Sequence, residues 1–106
     1  MNYIKMFENA AIKKWESIDK GECRKANYYS NRIIQIMNDL IKQGNLDILE
    51  VLFDSESKEV LLEVSCALFD IRKEKSVEIL KILSNGKGSL PFTADLFLNE
   101  KLEDGE

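Results

Sequence analysis

Histidine is absent from this 106-residue chain. That removes imidazole as a general base, the Ser-His and Cys-His nucleophile pairs, and the commonest metal ligand. The two cysteines, Cys23 and Cys66, are far apart and form no CxxC pair. They supply neither a cysteine-type zinc site nor a redox dithiol. Both are expected on apolar helix faces, as small buried residues in a reducing compartment. Asn85-Gly86-Lys87-Gly88-Ser89 has the residue types of a phosphate-binding loop. It lacks the GxxxxGK[ST] spacing and no strand precedes it, so it is read as a connecting turn. Nineteen acidic residues in so short a chain place carboxylates near one another by chance, and none is assigned as an acid/base pair. The expectation is a protein that is not an enzyme, with no catalytic residues, no cofactor and no metal.

Charge is the remaining functional clue. Residues 1–44 hold eight Lys/Arg and five Asp/Glu, a balance of +3, whereas residues 45–106 hold seven against fourteen, a balance of −7. Glu56, Glu59, Glu63 and Asp70 follow one another at spacings of three, four and seven. On one helix this makes a stripe beside the apolar face. These four residues are the candidate binding site for a basic partner, which they would also steer. Asp47, Glu50 and Asp54 form a shorter stripe of the same kind. In the basic half, Arg24, Lys25, Tyr28, Tyr29 and Arg32 combine basic and aromatic residues, as nucleic-acid surfaces do. A balance of +3 in a chain of pI near 5 argues against that use.

The elements that position these residues follow from apolar spacing. Residues 3–19 predict a first helix with Ile4, Phe7, Ala11, Trp15 and Ile18 on one face, ended at Gly21. Residues 22–43 predict a second, with Cys23, Ala26, Ser30, Ile33, Met37 and Leu40 inward, Ile34 and Ile41 widening the stripe, and Gly44 ending it. Asn45 is read as the cap of a short third helix over 46–53, with Leu46, Leu49, Leu52 and Phe53 inward. Ser57 is read as the N-cap of a fourth, running to Ile71 with Val60, Val64, Ala67, Leu68 and Ile71 inward. A fifth spans 74–84 on Val77, Leu80 and Leu83, widened by Ile79 and Ile82. Pro91 suits the first position of a sixth, which carries Phe92, Leu96, Phe97 and Leu102, with 103–106 a frayed acidic tail. No period-two alternation bounded by turns occurs, so the fold class is all-α, with about six helices in a single domain over 1–106.

The stretch Leu46 to Ile71, LDILEVLFDSESKEVLLEVSCALFDI, places a leucine-rich helix, a polar turn, a capped helix and a small residue, Ala67, in sequence. That order resembles a HEAT-like repeat, and residues 74–102 resemble a second copy, with Val77, Leu80 and Leu83 on one helix and Ala94 and Leu98 on the other. Over nearly its whole length the chain resembles a family of short bacterial proteins of unknown function with a HEAT-like helical fold. Leu61 and Lys58 depart from the arginine and proline common in such repeats. The resemblance implies antiparallel helix hairpins over 45–102, capped by a helical hairpin over 1–44, and an interaction role. In such hairpins the second helix usually lines the concave side.

The expected function is therefore a protein–protein interaction module, in its sharpest form an immunity-type protein that neutralises a basic toxin through its acidic face. A nucleic-acid-associated regulator using the second helix and a structural subunit of a helical assembly are the alternatives. The oligomeric state is not fixed by the sequence. The opening MNYIKMFENAAIKKW has no continuous apolar stretch, and no run is long enough to cross a bilayer, so no membrane role and a cytoplasmic location are expected.

Overall fold

A computed structural model describes residues 2–104. The chain is all-α, with six helical elements and no strand among the described residues. Helix α1 spans Tyr3–Asp19 and α2 spans Cys23–Gln43. A 3-10 helix over Leu46–Asp54 follows, then α3 over Lys58–Ala67, α4 over Lys73–Leu83 and α5 over Ser89–Asp104. Consecutive elements pack on one another, and α1 and α5 also reach α3.

The boundaries have local causes. The Asn2 side chain accepts a hydrogen bond from the Lys5 N–H at 3.1 Å and caps α1. Gly44, at φ +71°, takes the left-handed conformation that closes α2. Ser57 caps α3 as its sequence position predicts, its hydroxyl accepting from the Val60 N–H at 3.3 Å. Asn45 precedes the 3-10 helix but makes no side-chain cap bond. Pro91 is the third residue of α5 rather than the first, still within the turn where a missing N–H has no helical partner to lose. Helix α5 continues through Glu103 and Asp104, so the acidic end is helical that far; Gly105 and Glu106 lie outside the described residues.

Two apolar clusters make the interior. The first joins Phe7 and Ala11 of α1, Ile33, Ile36 and Leu40 of α2, Leu49 and Leu52 of the 3-10 helix, and Val60, Val64 and Leu68. The second joins Trp15, Leu62 and Phe69 to Ile79, Leu80 and Leu83 of α4 and Ala94 and Leu98 of α5. Helix α3 serves both. Val60 and Val64 point one way and Leu62 the other, so this short helix is buried on opposite faces.

That double burial explains one departure from the sequence reading, and α2, α4 and α5 show others. Helix α3 stops at Ala67, not Ile71, because the adjacent Leu68 and Phe69 enter different clusters and the chain turns between them. Ile71 is consequently exposed. On α2 the inward stripe runs through Ile36 rather than Ile34 and Ile41, which face solvent, and Cys23 is exposed. On α4 Ile82 is outward. On α5 Ala94 and Leu98 are the buried pair, while Phe92, Leu96 and Leu102 are exposed.

Leu68 is fully buried where α3 meets the first cluster. Leu68→Ala is expected to cost roughly 2–5 kcal/mol in urea unfolding, whereas the exposed Ile82→Ala changes stability by no more than about 0.5 kcal/mol. Equal small effects from both would contradict this assignment of the core.

Candidate interaction surface

Helix α3 positions the acidic residues, but not as one stripe. Glu56 is exposed and precedes the Ser57 cap; Glu59 is half-buried in the first turn. Asp70 is exposed in the turn beyond the helix. Ten helical residues separate the two ends by about 15 Å. Glu56 and Asp70 therefore flank α3 at opposite ends instead of lining it.

Glu63 is largely withdrawn from the surface. Its residue is 9% exposed, and one carboxylate oxygen accepts from the Trp15 indole N–H at 2.8 Å and from the Lys14 ammonium at 3.0 Å. The Lys14 nitrogen also lies 5.8 Å from the Trp15 ring centre. At roughly 100° per residue, position 63 falls between the face of Val60 and Val64 and the face of Leu62. It thus points at α1, where Trp15 needs an acceptor once its ring is buried. A buried carboxylate without partners would be costly, and these two contacts offset that cost. Glu63, expected on the partner-facing stripe, instead ties α1 to α3. The signal was present in the sequence as a lone acid inside the apolar run Val60-Leu61-Leu62-Glu63-Val64.

Cys66 lies beside this cluster. Burial, and secondarily the Glu63 carboxylate, push its thiol from the ordinary 9.0 up to about 12, with Lys14 and Lys101 opposing. The thiol therefore stays protonated at neutral pH and is a poor nucleophile.

The basic cluster is partly neutralised. Lys13, Lys20, Lys25, Tyr28 and Tyr29 line a crevice between α1 and α2, but Glu16 and Glu22 line it too. Lys13 pairs with Glu16 at 3.7 Å and Lys25 with Glu22 at 3.2 Å. Tyr29 packs against the first cluster, with Tyr28 edge-to-face on it at 5.0 Å. Arg24 is exposed and Arg32 half-buried.

The exposed isoleucines mark a different feature. Ile41, Gly44, Leu46, Asp47, Ile71 and Arg72 line one shallow groove. Helix α2, the 3-10 helix and the α3–α4 turn each contribute to it. Arg72 is held by Glu50 across the groove's edge, and Asp70 adjoins Ile71. The groove thus combines apolar side chains with the Asp47 carboxylate and the Arg72 guanidinium, a combination that spacing along one helix could not reveal.

Among the described residues no group of three His, Cys, Asp or Glu side chains is placed to hold a metal ion, and no helix is long and apolar enough to cross a membrane. Compared with protein-family models, characterised proteins and solved structures, the chain matches none.

Two measurements check this geometry. Glu63→Ala leaves the Trp15 indole and Lys14 without their shared acceptor and is expected to cost roughly 1–3 kcal/mol, with a shift in the emission of the sole tryptophan. Unchanged stability and emission would contradict the tie. In native protein at pH 8, a thiol reagent should modify the exposed Cys23 promptly and the half-buried Cys66, with its raised thiol, markedly more slowly; equal rates would contradict this environment for Cys66. The raised thiol also fixes a sign. The unfolded chain ionises first, so Cys66 withdraws stability as pH rises from about 9 towards 12, and Cys66→Ala should flatten that decline.

Proposed function

We propose that the protein is a non-enzymatic interaction module that binds a basic protein partner through the groove at Ile41, Leu46 and Ile71 and its acidic surroundings. The observation that carries this reading is the groove itself: apolar side chains open to solvent beside Asp47 and the Glu50-paired Arg72, in a half of the chain, residues 45–106, with a balance of −7. Interfaces commonly pair an apolar centre with a polar rim, and charge of one sign speeds approach and selects the partner. Glu56 and Glu59 extend the acidic field beyond the groove. The sharper form is an immunity-type protein that neutralises a basic toxin. A HEAT-like arrangement of the 3-10/α3 and α4/α5 pairs, and a bacterial cytoplasmic setting, belong to the same proposal.

A nucleic-acid role for α2 has weaker support, because the carboxylates of Glu16 and Glu22 share the crevice that its lysine and tyrosines line. The deciding experiment is capture from the cells that express the protein, comparing the parent with Asp70→Lys/Ile71→Glu. Both changes are at exposed positions, so the fold is retained. The expected result is one basic protein held in stoichiometric amount by the parent and bound at least about tenfold more weakly by the variant. Equal capture by both, or nucleic acid released steeply by salt, would overturn this reading.

A further inference from the structure

Helix α4 presents an outward ridge of Lys75, Glu78 and Ile82, spaced three and four apart and so within about 60° of one another around the axis. Ile71, in the turn before α4, borders the same shallow depression as Lys75 and Glu78 and extends the ridge at its other end. The ridge therefore reads apolar, basic, acidic, apolar. Ile82 is 64% exposed and Ile71 43%. Glu74 and Lys81 are exposed together on one flank of the ridge. Among the described residues, none of Glu74, Lys75, Glu78 and Lys81 is in an ion pair. Glu74 and Glu78, four apart, repel one another within the helix.

This order is complementary to itself reversed. Ile71 stands four residues before Lys75, and Ile82 four after Glu78. The antiparallel register that sets Lys75 of one helix against Glu78 of another therefore also sets Ile71 against Ile82. In that register Glu74 and Lys81, on facing flanks, come within about 3 Å of level along the axis. A lysine thus approaches each member of the repelling Glu74 and Glu78 pair. The remaining charges near the ridge are compatible with it. Lys73 lies about 100° beyond Glu74, turned away from the contact. Arg72 is engaged by Glu50. Asp70, just beyond Ile71, meets the far end of the other helix, where the nearest exposed charge is Lys87. Along α4 and its two turns, no like charges are set level with one another.

We propose that this face of α4 binds a second copy of the chain, with the two α4 helices antiparallel across a two-fold axis level with Ser76 and Val77. Each contact then occurs twice: Ile71 on Ile82 at the ends, and Lys75 with Glu78 and Glu74 with Lys81 between them. The patch is small, so association is weak and reversible, in the range of roughly 10–500 µM. Ile71 also lines the groove at Ile41 and Leu46, so the dimer competes with a partner bound there. Ile82 lies outside that groove, and its substitution probes the dimer alone.

Sedimentation equilibrium of the full chain at low salt, from about 5 µM to about 1 mM, tests it. The mass should climb from 12.2 kDa towards twice that value. Ile82→Glu should keep the chain monomeric with its helical circular dichroism intact. Glu78→Lys should weaken the dimer roughly five- to tenfold, and adding Lys75→Glu should restore it. A monomer at every concentration, or a dimer indifferent to Ile82→Glu, overturns the proposal. A dimer weakened by Glu78→Lys but not restored by the exchange overturns the antiparallel register.

Discussion

The rest of the structure depends on the burial of α3 between two apolar clusters. Ten residues have little room for polar side chains when two faces are already taken. Val60 and Val64 serve one cluster and Leu62 the other. Ser65 fills a third direction, fully buried, its hydroxyl without a partner. Glu63 fills the remaining one, and the Trp15 indole and Lys14 ammonium meet it there. Helix α1 runs past both clusters, giving Phe7 and Ala11 to the first and Trp15 to the second. The Trp15–Glu63 contact therefore locks together the two elements that span the whole interior.

This arrangement decides what the surface carries. A central helix committed to packing leaves few of its side chains exposed, and exposed apolar ones lie on the turns and outer elements. The α3–α4 turn exposes Ile71 beside Asp70, and the end of α2 exposes Ile41. At the far edge, α5 is covered on one side only. The chemistry is equally peripheral: the thiol nearest the interior, Cys66, is held protonated, and Cys23 is solvent-facing.

The fold was largely legible because helix periodicity is local. Phe7, Ala11 and Trp15 at spacings of four define α1, and Ser57 and Gly44 mark boundaries that the backbone honours. What was not legible was direction. Ile34, Ile36 and Ile41 fit a helical stripe about equally well, and only the position of α1 chooses Ile36. Phe92 and Leu96 are as hydrophobic as the pair that is buried, and the positions of α4 and α3 select Ala94 and Leu98 instead. Glu63 shows the same limit for the site. Its spacing from Glu59 is that of a surface stripe, yet a rotation of one face makes it an internal contact. The groove joins three elements distant in sequence, so no single-helix pattern contains it.

Native-state hydrogen exchange tests the central claim most directly. If α3 joins both clusters into one unit, the amides of Leu62 to Ala67 should exchange only through global unfolding and be the slowest in the chain, with the outer turns of α2 and α5 opening first. Exchange in α3 that is faster than in the inner turns of α1 or α2 would show two separately opening halves and contradict the account.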